Sequence, residues 1–316
     1  MARVLVTRAL PDGGLDPLVA AGHEIVQPSD DTPLTHDDLL GAVADVDAVV
    51  CLLTDRVDEA VLAAGAAGRL QVVANVAVGY DNIDTTAARR LGIAVCNTPG
   101  VLDETTADLA FLLILAASRL AWEAESDLRS GRWQGWGVNQ YLGRDVHGAV
   151  LGLVGYGRIG AAVARRAAGF GMTVLHHTRH DTGVAGYTAE LDTLLAEADI
   201  VSLHVPLTES TRHLIGRPEL ALMGPHAVLV NTARGPVVDE EALADALHAG
   251  DIFAAGIDVY EGEPEVHPRL LSAPRAVLLP HVGSATLATR AKMAQMACDG
   301  VCAVLDGAVP ANLVPA

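Results

Sequence analysis

Short apolar runs separated by stretches with helical spacing recur through the first hundred residues of this chain. Residues 3–7, 48–53, 70–75 and 94–96 are such runs, and their length and near-continuous hydrophobicity predict strands buried on both faces. Residues 37–44, 58–64 and 84–90 predict helices between them, with Thr35 and Asp84 suited to N-terminal ends because a side-chain oxygen there accepts from free N–H groups of the first turn. Repeated β-α-β of this kind implies a parallel sheet covered by helices on both faces. A long helix is predicted over residues 103–130, its apolar face carrying Leu109, Leu112, Leu113, Ala116 and Leu120. The irregular segment 131–137 follows and holds Trp133 and Trp136.

A second β-α-β series starts at Gly148. Residues 149–154, 173–176, 200–204, 228–231, 255–257 and 277–279 predict its strands, 159–169 its first helix, and 285–305 a closing helix. The chain is thus an α/β protein with two series of parallel strands, similar in style and unlike in sequence.

Composition narrows what such a protein does. The chain has 316 residues, room for two domains of ordinary size, and 51% of it is apolar. The longest apolar candidate, residues 109–117 between Asp108 and Arg119, falls short of the roughly 18 residues a membrane span needs. Met1-Ala2-Arg3-Val4-Leu5-Val6 reads as a first strand rather than a signal peptide. A net charge of −18 with a single lysine, Lys292, argues against nucleic acid, whose phosphates need clustered cations. It also means that any site for an anion must be local. Cys51, Cys96, Cys298 and Cys302 show no metal-type spacing, so no metal is expected. Cys298 and Cys302 share a helix face as small apolar residues, and free thiols point to the cytoplasm.

Two constellations carry chemistry. The first is Gly155-Tyr156-Gly157-Arg158-Ile159-Gly160, between an apolar strand and an amphipathic helix. Its glycines permit a tight turn, a close approach of backbone to a pyrophosphate, and close helix–strand packing, and the helix N-terminus favours negative charge. At the end of the next strand, Leu175-His176-His177-Thr178-Arg179-His180 lacks the carboxylate that usually binds the ribose hydroxyls of NAD. Thr178 can hydrogen-bond a 2'-phosphate and Arg179 can neutralise it, which favours NADP(H). Asp181 works against that preference, and NAD(H) stays open.

The second constellation is Arg234, Glu263 and His281, within Asn231-Thr232-Ala233-Arg234-Gly235, Asp258-Val259-Tyr260-Glu261-Gly262-Glu263-Pro264 and Pro280-His281-Val282-Gly283-Ser284. Reduction of a 2-keto acid builds negative charge on the carbonyl oxygen as hydride arrives. A protonated His281 stabilises that charge and donates the proton. Glu263 accepts from the imidazole and fixes its tautomer. Arg234 offers a fork of donors to the carboxylate and polarises the ketone. Backbone N–H groups of Val78 and Gly79, at the end of a strand, are a second carboxylate anchor.

Over nearly its full length the chain resembles the D-isomer-specific 2-hydroxyacid dehydrogenases, most closely the glyoxylate/hydroxypyruvate reductases among them. The resemblance rests on Val78-Gly79-Tyr80-Asp81-Asn82-Ile83-Asp84, Asn97-Thr98-Pro99-Gly100, the glycine fingerprint, His204-Val205-Pro206-Leu207-Thr208 and the three phrases of the second constellation. It implies a Rossmann-type cofactor domain over 99–285 and a discontinuous flavodoxin-like substrate domain over 1–98 and 286–316, with the active site in a cleft that closes by hinge motion. It assigns the catalytic trio to Arg234, Glu263 and His281. Further cofactor contacts are implied at Thr106, Arg158, Ile159, Val205, Pro206, Thr232, Ala233, Asp258, His281 and Gly283, with Asp258 on the nicotinamide carboxamide. It implies a homodimer with the long helix and the tryptophan segment at the interface. Trp133 and Trp136 are then core anchors, dimer contacts or, for Trp136, a wall of the partner's substrate site.

Three departures separate the chain from its neighbours. No C-terminal regulatory domain of the kind found in some phosphoglycerate dehydrogenases is present, Val78 stands where phosphite dehydrogenases place a lysine, and Glu263 where formate dehydrogenases use an amide. An NAD-linked dehydrogenase of another D-2-hydroxy acid and a dinucleotide-sensing binding protein are the competing functions.

Overall fold

A computed structural model describes residues 1–28 and 31–315; residues 29, 30 and 316, all inside the expected substrate domain, lie outside the described residues. The chain divides into two compact units, Met1–Leu102 with Ser284–Ala316, and Asp103–Gly283. The divisions fall after Leu102 and Gly283 rather than after 98 and 285.

The first unit has strands β1 (Arg3–Val6), β2 (Glu24–Val26), β3 (Ala48–Cys51), β4 (Val72–Asn75) and β5 (Ala94–Cys96), and helices α1 (Asp16–Ala20), α2 (His36–Ala42), α3 (Glu59–Ala67) and α4 (Thr85–Leu91). The sheet is wholly parallel, in the order β2-β1-β3-β4-β5. Apolar residues cover both faces: Leu39, Val61, Leu62 and Ala87 on one, Leu18, Ala297, Cys298 and Val301 on the other. That double cover is why β3 and β4 are apolar without alternation. Thr35 and Asp84 cap as expected, accepting from the N–H groups of Asp38 and Ala87. The hydrophobic pattern does not predict α1 or β2. Strand β2 is a three-residue edge strand with no fully buried residue, so it carries no apolar run to read.

The second unit holds β6 (Val150–Val154), β7 (Thr173–His177), β8 (Ile200–Leu203), β9 (Val228–Asn231), β10 (Ala254–Ile257) and β11 (Ala276–Leu278), again all parallel, in the order β11-β10-β9-β8-β6-β7. Helices α5 (Asp103–Ser118), α6 (Ala121–Arg129), α7 (Arg158–Ala168), α8 (Leu191–Glu197), α9 (Arg217–Met223), α10 (Glu240–Ala249) and α11 (Pro268–Leu271) belong to this unit, and α12 (Leu287–Leu305) to the first. Both sheets are doubly wound, as expected.

Two expectations about the long helix fail. It breaks between α5 and α6, with a bend of 70° and Leu120 left-handed at φ 50°. At the break the carbonyl of Ser118 accepts the Arg144 N–H at 2.7 Å. The buried face of α5 is also different: Ala107, Ala110, Phe111, Leu113, Ile114 and Ala117 are covered, while Leu112 is 53% exposed. The helix is apolar nearly all round, so periodicity does not choose the face. The alanines let it approach the sheet, where a β-carbon on Gly256 would stand 2.8 Å from that of Leu113. Among the described residues, no single helix is long and apolar enough to cross a membrane.

Candidate active site

Because all six strands of the second unit run the same way, the residues following them emerge at one edge of the sheet. This edge brings together Arg234 after β9, Asp258 after β10 and His281 beyond β11, with the glycine fingerprint after β6 and His204 after β8. Ligands bind at this edge in open α/β sheets.

Asn231 shapes the turn that presents Arg234. Its Nδ2 donates to the Arg234 carbonyl at 2.9 Å and its Oδ1 accepts from the Ala233 N–H at 3.0 Å. Gly235 follows, and a β-carbon there would stand 1.9 Å from the Tyr260 carbonyl. Glycine therefore lets the backbone of the Arg234 turn rest on the loop after β10. Asp258 is 1% exposed, and its carboxylate accepts from the N–H groups of Val282 and Gly283, each at 2.8 Å. Its carbonyl accepts the His281 N–H at 2.8 Å. These bonds hold His281 in the left-handed region, at φ 53°, a conformation costly for a residue with a β-carbon. Burial pushes the Asp258 carboxyl up to about 6, with Glu263 adding to the rise, against the two N–H donors and the charge of His281.

Glu263 completes the group. Its Oε2 lies 2.7 Å from His281 Nδ1, and its Oε1 accepts the Tyr260 N–H at 2.9 Å. Burial alone would raise this carboxyl. The hydrogen bond and charge of His281, the Tyr260 N–H and the charge of Arg234 outweigh it and hold the carboxyl below its ordinary value. A carboxylate on Nδ1 fixes the ring so that Nε2 is the nitrogen left to exchange a proton with a ligand.

The fingerprint glycines divide by role. Gly155 has φ 98°, and a β-carbon there would lie 2.6 Å from the His204 carbonyl. One on Gly160 would lie 2.3 Å from the Gly155 carbonyl. One on Gly157, the residue before α7, would meet nothing within 4 Å. The first two are required by the fold. The third leaves open space in front of the helix N-terminus, where Ile159 and Gly160 add first-turn N–H groups, a cradle suited to a pyrophosphate. Nearby polar chemistry fits as well: Thr232 Oγ1 is buried without a hydrogen-bond partner among the described residues, and Thr106 lies beside Gly283 and Asp258. The residues thus fit a nicotinamide dinucleotide, with Gly157 and α7 for the phosphates and Thr106, Thr232 and Asp258 toward the nicotinamide end.

Some expected contacts are engaged elsewhere. Arg158 pairs with Asp103 at 3.2 Å. The Asp258 carboxylate, expected on the carboxamide, spends one lone pair of each oxygen on the His281 loop and keeps the others. Thr178 donates its hydroxyl proton to the His180 carbonyl at 2.6 Å, and Arg179 beside it is exposed. Val205 packs against the Gly155 turn, and the Pro206 carbonyl accepts the Thr211 hydroxyl at 2.7 Å. Val78 and Gly79 belong to the first unit, where Asn97 and Asn75 side chains bind their carbonyls at 2.7 and 2.8 Å. Trp136 is 84% exposed.

Sequence reasoning gives no role to His204 or to Asn231. His204 lies half-buried beside Gly160 of the fingerprint, its Nε2 3.0 Å from Ser202 Oγ, and desolvation pushes its imidazole down to about 4. Its place directly after an apolar strand is the available signal.

Comparison with known proteins identifies the family. The sequence profile for the D-isomer specific 2-hydroxyacid dehydrogenase NAD binding domain matches residues 111–283. A glyoxylate reductase of Korarchaeum cryptofilum (strain OPF8) is 47% identical over 322 residues, spanning 99% of this chain and 95% of its own. The crystal structure of a protein from Thermus thermophilus superposes with a TM-score of 0.92 at 44% identity, covering 99% of this chain and 100% of that one. An NADPH-dependent glyoxylate/hydroxypyruvate reductase from Sinorhizobium meliloti, in complex with NADP and malonate, superposes with a TM-score of 0.85 at 35% identity, covering 99% of this chain and 96% of that one. This chain belongs to the D-isomer specific 2-hydroxyacid dehydrogenases and is an oxidoreductase dependent on a nicotinamide dinucleotide.

Proposed function

We propose that this enzyme reduces small 2-keto acids, glyoxylate and hydroxypyruvate first among them, to 2-hydroxy acids, with NADPH preferred to NADH. The 2.7 Å bond between Glu263 and His281 Nδ1, on the edge that also carries Arg234 and the glycine cradle, is the observation that carries the reading. The nicotinamide, when bound, supplies the hydride. As charge builds on the keto oxygen, His281 stabilises it and gives up its Nε2 proton, so carbonyl, hydride and proton become an alcohol. Glu263 balances the imidazolium, and Arg234 binds the carboxylate and polarises the ketone. Val78 and Gly79 are the proposed second anchor for the carboxylate, supported by N–H groups that donate to nothing among the described residues.

Relatives named glyoxylate reductase and glyoxylate/hydroxypyruvate reductase support the substrate class. The exposed Arg179 and the missing carboxylate after β7 support NADPH. An NAD-linked dehydrogenase is the second reading, favoured by the engaged hydroxyl of Thr178. Exposed Leu112, Trp122, Leu128, Trp133, Trp136, Val138 and Leu142 form an apolar stretch suited to a second copy of the chain, which supports a homodimer with Trp136 at or near the partner's site. Four free cysteines are compatible with the cytoplasm as its compartment.

The test is oxidation of NADPH and of NADH with glyoxylate, hydroxypyruvate, pyruvate, a branched and an aromatic keto acid. Fast turnover of the two smallest acids with NADPH supports the proposal. Turnover confined to NADH or to bulky acids refutes the cofactor or the substrate assignment. An Arg179→Ala variant that loses NADPH and NADH activity equally removes the argument from Arg179.

A further inference from the structure

The loop that carries Glu263 is closed by a carboxylate outside the catalytic trio. Glu240 is the first residue of α10 and is only 7% exposed. Its Oε2 accepts the Glu261 N–H at 2.9 Å and its Oε1 accepts the His267 N–H at 2.7 Å. One side chain therefore grips the loop on both sides of Glu263. The bond is reciprocated, since Glu261 Oε1 accepts the Glu240 N–H at 2.9 Å and Glu261 Oε2 lies 3.0 Å from His213 Nε2. Tyr260, whose N–H holds Glu263 Oε1, immediately precedes the gripped segment.

We propose that Glu240 is a positioning residue for the reaction: by clamping the two ends of the 261–267 loop it sets Glu263, and through Glu263 the orientation of His281. The proposal rests on the reading of His281 and Glu263 as the proton-donating pair. Both oxygens of Glu240 are acceptors and both face backbone donors. A glutamine there keeps one acceptor and turns an amide N–H toward a backbone N–H, which opens one end of the loop. A catalytic group displaced by about 1 Å costs up to about 100-fold in rate.

The experiment compares Glu240→Gln, Glu263→Gln, the double variant and Glu241→Gln, the same chemical change at the exposed neighbour. Steady-state kcat and KM are measured with glyoxylate, and cofactor affinity by fluorescence titration. The expected result is a fall in kcat of about 10- to 100-fold for Glu240→Gln, with cofactor affinity and substrate KM within about threefold of wild type, and wild-type kinetics for Glu241→Gln. The double variant should be no slower than Glu263→Gln alone, because the clamp acts only through Glu263. A double variant slowed by the product of the two single effects overturns the clamp while leaving the catalytic pair intact. Wild-type kcat in Glu240→Gln does the same. Wild-type kcat in Glu263→Gln overturns the reading of the pair and the clamp with it. Should Glu240→Gln fail to fold, Glu240→Asp replaces it in the same cycle, since it keeps the charge and is too short to hold both ends.

Discussion

Gly157→Ala should leave the fold intact and weaken the cofactor selectively. The backbone at Gly157 has φ −81° and ψ −160°, open to any L-residue, and the added methyl would meet nothing within 4 Å. Alanine caps a helix less well than glycine, by roughly 0.5–1 kcal/mol, while the stiffer unfolded chain returns about 0.4–1 kcal/mol. The net change in stability is therefore under about 1 kcal/mol. For the cofactor the methyl fills the space in front of the α7 N-terminus and displaces a phosphate from its N–H donors. Loss of one such charge-assisted bond costs about 1.5–3 kcal/mol, or roughly 10- to 150-fold in affinity. Gly160→Ala is the contrast, because its β-carbon would stand 2.3 Å from a backbone carbonyl, and helix α7 must shift at a cost of about 1–3 kcal/mol or more. Urea denaturation of the apoprotein and fluorescence titration with NADPH and NADH read the two effects separately. If Gly157→Ala bound both cofactors as wild type does, the pyrophosphate would not approach Gly157, and the division of roles among the glycines would be wrong.

The same edge of the sheet and the core behind it set three further expected outcomes. Asp258→Asn keeps one acceptor for Val282 and Gly283 and opposes donor to donor at the other; kcat should fall at least roughly tenfold and the unfolding midpoint in urea should drop, and wild-type kcat would show that Asp258 does not hold His281. His204, held down at about 4 by burial, is a base whose folded value lies below its unfolded value near 6.5. Its contribution to stability is complete above pH 6.5 and drains as pH falls through 4; about 3 kcal/mol should be lost over that window in wild type but not in His204→Asn, by urea denaturation at several pH values. Gly256→Ala places a β-carbon 2.8 Å from that of Leu113 and should cost about 1–3 kcal/mol by forcing α5 off the sheet; an unchanged urea midpoint would contradict that packing.

Much of this protein is written locally. Strand β3 is apolar throughout and β4 and β9 are apolar up to a closing asparagine, so their existence and their burial on two faces are legible from the chain alone. The fingerprint glycines are legible because their spacing falls within six residues of sequence, and the demand on Gly160 comes from the Gly155 carbonyl inside the same motif. The residue types needed for ketone reduction are legible because few side chains donate a proton or fork onto a carboxylate.

Other features were decided by parts of the chain far apart. At the break between α5 and α6 Arg144, twenty-six residues on, reaches the carbonyl of Ser118, and no propensity near residue 118 announces it. The apolar length of α5 offers several faces, and the close approach of Leu113 to Gly256 belongs to the one that packs. Asp258 was expected to face a cofactor, yet its first duty is to hold Val282 and Gly283, twenty-four and twenty-five residues on. Sequence by itself determined the periodicity of the elements and the identity of the chemical groups, because both follow from short-range sterics and side-chain chemistry. The tertiary structure alone decided which carboxylate meets which backbone N–H. Those pairings form when the ends of parallel strands are drawn together, and a buried polar group takes whatever partner folding places beside it.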